Sequence, residues 1–371
     1  MFHILEVGIA ADRRIPRHAR SCSFPAPSQK GDPIRAAISV ATFLLALVIL
    51  GCGGGVGRPD QSAPPNVSLS NGTAALVDPE TGVRSLSPDV SGTDTDWSGQ
   101  VQIIINECVS PGFVGGSITQ PCSVPTEYVL IGGGAQDVWT GQGALLWESR
   151  PFDSLTWFAS SKDHLGDGAL HQLHTWAVGL RLVKTDGTFM SRDELLTHVS
   201  YGVVTSPVGQ RPSASCTVPV GQTVIGGGAR SNWPATGGVG QLLIASYPSN
   251  TDTWFGQSKD HLQADPASLD THCIGIDPVI PGVGTLVIDQ VTATVFASGG
   301  VGTACNNVTN APRSVAACYG GLATWNGSKG RMLFRMGPGD SDIRTFCTSS
   351  KDHLEADSGN TTAYLTQIRL Q

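Results

Sequence analysis

The sequence predicts an all-β protein built from three homologous repeats of about 93 residues. Glycine accounts for 46 of 371 residues and charged side chains for only 14%, a composition that favours short strands and turns over charged amphipathic helices. Short apolar runs alternate with clusters of Gly, Pro, Ser, Asn and Asp, which is the pattern of strands separated by turns. We therefore expect each repeat to form a small antiparallel β-sandwich or barrel of about five strands.

The N-terminal residues have the pattern of a targeting segment. Residues 36–50 form an uncharged apolar run that follows Lys30 and Arg35. At about 1.5 Å per residue, this run is too short to cross a bilayer core as a helix, so it fits the apolar region of a signal peptide. The run ends in Gly51 and Cys52, directly behind Ile and Leu.

This ending resembles the lipobox of bacterial lipoproteins. The resemblance implies cleavage before Cys52 and acylation of its thiol with a lipid such as palmitate, so that residues 1–51 are an N-terminal extension and signal peptide. Gly53 follows Cys52, where an aspartate retains some lipoproteins at the inner membrane. The resemblance therefore favours the outer membrane or cell surface within the cell envelope. An uncleaved helical anchor and a chance apolar run are the alternatives.

Residues 52–98 are predicted to be the lipidated cysteine followed by a flexible tether. Gly, Ser, Pro, Asp and Thr dominate this segment, and large apolar side chains are few. Such a segment buries too little apolar surface to offset the conformational entropy lost on folding. We therefore expect the tether to hold the folded repeats away from the membrane surface.

The three repeats are predicted at residues 99–195, 196–286 and 287–371. Each repeat contains, in the same order, a glycine-rich strand, an apolar pair before a proline, and an aromatic strand. The aromatic strand ends in Ser-Lys-Asp-His-Leu. We expect the strand glycines to mark bulges or close backbone approaches, and residues 191–198 to form at most one short helix. The repeats either fold as independent units or pack about a pseudo-threefold axis.

Seven cysteines follow Cys52, and in an exported chain we expect them to form disulfides. One cysteine occupies the same position in each repeat, and neighbouring strands offer partners. The pattern gives Cys108 as the partner in the first repeat and Cys273 in the second. In the third repeat the pattern leaves one cysteine without a partner. Its thiol is either free and buried or forms a disulfide with another molecule. The candidates are Cys108, Cys122, Cys216, Cys273, Cys305, Cys318 and Cys347.

The repeated Ser-Lys-Asp-His motif supplies the candidate binding residues. Because side chains alternate along a strand, lysine and histidine would share one face, opposite the aromatic residue that enters the core. Only five lysines follow Cys52, and three of them hold this position. One interpretation is a cationic donor pair for carboxylate, sulfate or sugar hydroxyls, and the other is a structural strand end with an exposed face. The candidate ligand-binding residues are Lys162, His164, Lys259, His261, Lys351 and His353.

The motif aspartates, Asp163, Asp260 and Asp352, are predicted to accept backbone hydrogen bonds at the turn after the strand. We expect no metal site, because the adjacent lysine adds positive charge beside these carboxylates. We expect no cofactor, because the glycine triplets are not followed by a helix or a phosphate-loop motif. Catalysis is not expected, because neighbouring Asp and His on a strand point to opposite faces and the carboxylate cannot orient the imidazole.

The net charge of −7 disfavours binding to nucleic acid. Together, these features predict a membrane-anchored lipoprotein that acts as a non-catalytic binding or adhesion module for a glycan or another polar polymer of the envelope. Three weak sites on one chain would add avidity. The alternative is a structural or assembly protein of the cell envelope that packs with partner subunits. The oligomeric state and the identity of the ligand are not encoded in these patterns.

Overall fold

The computed structural model describes residues 91–163, 169–233, 240–260, 263–327, 329–340, 342–352 and 355–371. The predicted signal peptide, Cys52 and most of the predicted tether lie outside the described residues. Within the described ranges, no helix has the length and apolar character needed to cross a membrane.

The all-β class is confirmed, since the described residues form twenty strands and one short helix. The first seven strands are β1 (Gly92–Thr95), β2 (Val101–Val109), β3 (Ser117–Ser123), β4 (Val129–Trp139), β5 (Ala144–Pro151), β6 (Thr156–Asp163) and β7 (His171–Leu182). Helix α1 (Arg192–Leu196) is followed by β8 (Val199–Thr205), β9 (Ser213–Thr217), β10 (Thr223–Ser231), β11 (Leu242–Pro248), β12 (Thr253–Lys259), β13 (Leu269–Ile276) and β14 (Val279–Ile280). The last six are β15 (Gly284–Ala297), β16 (Val301–Asn307), β17 (Val315–Ala323), β18 (Met332–Pro338), β19 (Thr345–Lys351) and β20 (Gly359–Leu370).

Strand β1 corrects the boundary of the predicted tether, which we expected to extend to residue 98. It pairs antiparallel with β2, and its Asp94 is buried. The Asp94 carboxylate forms ion pairs with Arg313 and Arg344, which come from the third repeat. Ordered structure therefore begins before residue 99, because a buried carboxylate in this segment has two cationic partners.

Each of the three antiparallel sheets combines strands from two repeats. The strand orders are β1-β2-β7-β4-β18-β19-β16, β3-β6-β5-β10-β13-β8 and β14-β15-β20-β17-β11-β12-β9. Repeats meet where β4 pairs with β18, β10 with β5 and β17 with β11. The junctions have equivalent registers, with Ala135 opposite Met336, Ala229 opposite Ser149 and Gly321 opposite Ser246.

This pairing excludes independent units and changes the expected sandwich of about five strands per repeat. The strands β2 to β7, β8 to β13 and β15 to β20 form three sets of six, and each set is divided between two sheets. A strand such as β2 alternates between buried and half-buried residues, because only one of its faces meets the core. Strand β4 is buried along its whole length, because it lies between neighbours on both faces.

Glycine allows three strands to approach closely at the centre, where β4, β10 and β17 contact one another. A Cβ atom on Gly132 would overlap the carbonyl oxygen of Ala317, and one on Gly226 would overlap the carbonyl oxygen of Ile131. The equivalent residue of β17 is Cys318. A bulge directly precedes each of these three positions. The expectation that the strand glycines mark bulges and close approaches is therefore correct.

The apolar core extends through all three sheets. Its largest cluster contains buried residues from every repeat, including Trp157 and Trp254. A second cluster is also shared between the repeats. It consists of Trp139, Leu145, Leu242, Ile244, Met332 and Phe334, with Trp147 and Trp325 packed against it.

Three disulfides are present, and the partners expected for Cys108 and Cys273 are confirmed. The bonds are Cys108–Cys122, Cys216–Cys273 and Cys305–Cys347. Among the described cysteines, Cys318 is free and buried, and burial raises the pKa of its thiol to about 11. Of the two possibilities for the remaining thiol, the structure therefore shows the free, buried one.

We expect Gly226→Ala to destabilise the fold by about 3 kcal/mol, because the added methyl group would overlap a backbone carbonyl that cannot move independently of its sheet. Urea denaturation followed by tryptophan fluorescence measures this loss. Gly115→Ala is the matched control, since its Cβ would lie 4.0 Å from the nearest atom. Equal stability of the two variants would contradict the close approach.

Candidate functional site

Each motif lysine lies over a tryptophan of a different repeat. The lysines end the equivalent strands β6, β12 and β19, or directly precede their ends. Their Nζ atoms lie above the indole rings at distances of 4.4 Å for Lys162 and Trp233, 5.5 Å for Lys259 and Trp325, and 4.8 Å for Lys351 and Trp139. Repeat one thus contacts repeat two, repeat two contacts repeat three, and repeat three contacts repeat one. The cation–π contacts join the repeats in a closed cycle.

The expected exposed face is wrong for two of the three lysines. Lys162 is 6% exposed and Lys259 is 7% exposed, while Lys351 is half-buried. The predicted alternation of side chains along the strand is not the reason for this error. Trp233, which follows β10 of the next repeat in sequence, lies over Lys162, so a face that is free within one repeat is covered by another.

A glycine with positive φ lies beneath each of these tryptophans. Gly143, Gly240 and Gly330 have φ angles of 95°, 77° and 92°. A Cβ atom on Gly240 would come within 2.8 Å of both the Trp233 ring and Lys162 Nζ. Sequence reasoning missed these pairs because the interval from tryptophan to glycine differs between the three copies. The available signal was a tryptophan followed shortly by glycine before each apolar pair.

The lysines also bond to backbone atoms of the neighbouring repeat. Lys259 Nζ donates a hydrogen bond to the Lys329 carbonyl oxygen at 2.5 Å, and Lys351 Nζ donates one to the Gln142 carbonyl oxygen. Burial lowers the pKa of Lys162 to about 8, although the carboxylates of Asp265 and Asp163 act in the opposite direction. Its ammonium group is therefore partly desolvated within the contact between repeats.

The histidines of the motif, His164, His261 and His353, lie outside the described residues. The expected side-by-side arrangement of lysine and histidine therefore remains a prediction.

The motif serines are fully buried and bond to different partners. Ser258 Oγ donates to Gln241 Oε1 at 2.8 Å, whereas Ser350 Oγ accepts a hydrogen bond from Arg331 Nε at 3.2 Å. The Arg331 guanidinium is itself fully buried and also donates to the Gly300 carbonyl oxygen at 2.7 Å. The invariant serine is thus a core hydrogen-bonding position whose partner changes from copy to copy.

In the first repeat the partner is a buried histidine. Ser161 Oγ lies 3.3 Å from His171 Nδ1, which is 2.8 Å from an Asp137 carboxylate oxygen. His171 Nε2 lies 3.0 Å from the Gly116 carbonyl oxygen. Burial alone lowers the pKa of His171, but the hydrogen bond and charge of Asp137 raise it above its ordinary value. Sequence reasoning missed this pair because its members lie on different strands, β4 and β7.

The motif aspartates differ in their hydrogen bonds. The Asp352 carboxylate accepts hydrogen bonds from the backbone N–H groups of Gly300 and Asp357, at 2.9 Å and 3.0 Å, as expected of a turn residue. For Asp163 and Asp260, the backbone N–H group donates to the carbonyl oxygens of Gly116 and Gln210. The strand end is thus fixed to a neighbouring segment in all three copies.

A second acidic residue accepts hydrogen bonds from backbone N–H groups that follow the tryptophan in sequence. Asp265 accepts a hydrogen bond from Gly240 N at 2.5 Å, and Asp357 accepts hydrogen bonds from Gly327 N and Gly330 N, both at 2.7 Å. These carboxylates are therefore satisfied by backbone donors. In the part of the chain that the structure describes, no group of three or more His, Cys, Asp or Glu residues could hold a metal ion.

A pocket opens beside the second of the three lysine–tryptophan contacts, between repeats two and three. Its volume is about 590 Å³. The guanidinium of Arg211 lies 4.7 Å from the centre of the Trp325 ring, on the same indole as Lys259. The pocket is lined by Gln210, Arg211, Lys259, Asp260, Gln263, Ala264, Trp325, Gly327 and Lys329. Of the predicted site residues, Lys259 and Asp260 are therefore brought together here.

We expect the free energy of unfolding of the wild type to rise, relative to that of Lys162→Met, as pH increases from 8 to 10.5. The pKa of Lys162 is lowered to about 8 from an ordinary 10.5, so in this window the unfolded chain binds more protons than the folded chain. Solvent screening reduces the expected gain to about 1–2 kcal/mol. Urea denaturation across pH 6 to 10.5 measures it. A difference that stays constant above pH 8 would contradict the shifted pKa, and the range from pH 6 to 7.5 serves as the flat control.

No protein-family model matches the chain, and no curated protein is significantly similar to it in sequence.

Proposed function

We propose that this chain is a membrane-anchored lipoprotein whose β-domain binds, without catalysis, a carbohydrate or another polar polymer of the cell envelope. The observation that carries this proposal is the pocket between repeats two and three, in which polar side chains surround an indole ring. Its volume of about 590 Å³ falls within the range of ordinary ligand sites.

The lining of the pocket suits a polyhydroxylated ligand. Gln210 and Gln263 are exposed, and their amide groups supply both donors and acceptors. Asp260 adds an acceptor, and the half-buried Trp325 lies beneath Arg211 and Lys259, which add donors. A sugar presents many hydroxyl groups, so this combination of donors and acceptors matches its chemistry.

The three motifs then have different parts in the proposal. Lys162 and Lys351 hold tryptophans of neighbouring repeats, which supports a structural part for these two. Lys259 does the same and also lines the pocket. We therefore assign binding to the second motif and do not rely on three equal sites acting through avidity.

We expect the full-length chain, purified in detergent, to give a signal on a glycan array. The double variant Gln210→Ala, Gln263→Ala should reduce that signal at least fivefold, because it removes two amide groups that bind the ligand. The matched control is Gln102→Ala, Gln120→Ala, which removes two glutamines outside the pocket. No signal above background, or equal signals from both double variants, would contradict the proposal.

The lipid anchor is supported by the apolar run that ends at Cys52. We expect the wild type to incorporate labelled palmitate and to sediment with membranes, and Cys52→Ala to lose the label, because the thiol is the acylated group. Cys22→Ala is the control, since it removes the other cysteine of the N-terminal region. Unchanged labelling of Cys52→Ala would contradict lipidation at this position.

A structural or assembly role is the second candidate, and a row of aromatic side chains favours it. Tyr247 stacks on Tyr364 at 4.5 Å and lies 5.5 Å from Phe255. All three are half-buried, so the row offers apolar area to a partner subunit. Large oligomers or co-purifying envelope proteins, without a glycan signal, would favour this candidate.

A further inference from the structure

Among the described residues, the pocket between repeats two and three has more positive charge than the two equivalent lysine–tryptophan contacts. Arg211, Lys259 and Lys329 line it, against a single lining carboxylate, Asp260. At the equivalent contacts, the Trp233 and Trp139 rings each meet a lysine, and no arginine lies over either ring among the described residues. The extra cations are therefore specific to one of three otherwise similar places.

Arg211 is held in a way that leaves its donors available. Its guanidinium carbon lies over the Trp325 ring, 4.7 Å from the ring centre, and the side chain is exposed. No carboxylate of the described residues lies within ion-pair distance of it, although such pairs are frequent for the other arginines of the fold. A stacked guanidinium keeps its N–H edges free for a bidentate contact with a carboxylate.

The two lysines add charge around this arginine. Lys259 Nζ uses one of its three donors on the Lys329 carbonyl oxygen, and Lys329 Nζ lies 3.7 Å from a Glu355 carboxylate oxygen. Burial lowers the pKa of Lys259, and the nearby charges of Arg211 and Lys329 lower it further, while Asp260 and Asp357 raise it. The mutual repulsion of these cations is relieved when an anion enters the pocket.

The acidic residues around the pocket limit the charge of a suitable anion. Asp260 is part of the lining, Glu355 lies beside Lys329, and the whole chain has a net charge of −7. A polyphosphate or a nucleic acid would meet strong long-range repulsion. A single carboxylate on an otherwise neutral ring would still contact the cations of the pocket, and the negative charge of the chain would repel it only weakly.

We propose that the pocket binds an acidic sugar, with the carboxylate of a uronic acid on Arg211 and its hydroxyl groups on Gln210 and Gln263. This inference rests on the proposed function, since it specifies the ligand class of the same site. The stacked arginine gives selectivity for the acid over the neutral sugar, and the amides bind either.

The test is isothermal titration calorimetry of the full-length chain in detergent with galacturonic acid, which has one carboxylate, and with its methyl ester, which keeps the sugar and removes the charge. We expect the wild type to bind the acid at least tenfold more tightly than the ester. Arg211→Gln should lose this preference, Arg211→Lys should retain part of it, and added salt should weaken binding of the acid. Arg181→Gln is the matched control, because Arg181 also stacks on an aromatic ring, that of Phe189, but lies outside the lining of the pocket.

The outcomes separate this inference from the proposed function. Equal affinity of the wild type for acid and ester, or an acid preference that survives Arg211→Gln, overturns the acidic-sugar inference and leaves carbohydrate binding standing. Binding of neither probe, with a glycan array signal for neutral sugars alone, also overturns only this inference. Binding of neither probe with an empty array overturns both. Tighter binding of an acidic peptide than of galacturonic acid overturns the assignment to a sugar.

Discussion

The structure depends on the close approach of three backbones at its centre. Strands β4, β10 and β17 contact one another, and they do so where Gly132 and Gly226 have no side chain to separate them. The third strand has Cys318 at this position, so the centre accommodates one small side chain but not three. Because the central strands are fixed, the outer strands of each repeat can extend each sheet and pair with those of the next repeat. The contacts of the lysine motif with neighbouring repeats follow from this arrangement.

The repeated motif serves the structure of the fold, and in our proposal one of its copies also takes part in binding. Its serine bonds within the core, and its lysine covers a tryptophan of the adjacent repeat. These contacts alone account for its recurrence in three copies. The binding that we propose depends on residues that are not repeated, chiefly Arg211 and Lys329, which among the described residues occur at one of the three contacts. The repeated part of the site is thus a scaffold, and the unique part determines the ligand that we propose.

Much of the fold was predictable from sequence, because it depends on local patterns. The strands follow from apolar runs between turn residues, and the partners of Cys108 and Cys273 follow from the alignment of the repeats. Pairing between repeats could not be predicted, because residues such as Ala135 and Met336 have no pattern that marks them as neighbours. The burial of Lys162 was missed for the same reason, since the covering residue, Trp233, belongs to another repeat. Arg211 was missed because a search for repeats selects what is common and discards what is unique.

The pairing of β4 with β18 has a consequence for how the chain is made. Met336 lies about 200 residues after its partner Ala135, so during synthesis the sheet that contains β4 cannot be completed until the third repeat has emerged. Until then, one edge of β4 has unpaired N–H and C=O groups that could join a strand of another molecule. The junction of β10 with β5 can form once the second repeat has emerged, whereas that of β17 with β11 also needs the third repeat. The third repeat therefore completes the sheet of the first, and a chain that ends before β18 keeps an unpaired edge on β4 that proteases and chaperones can recognise.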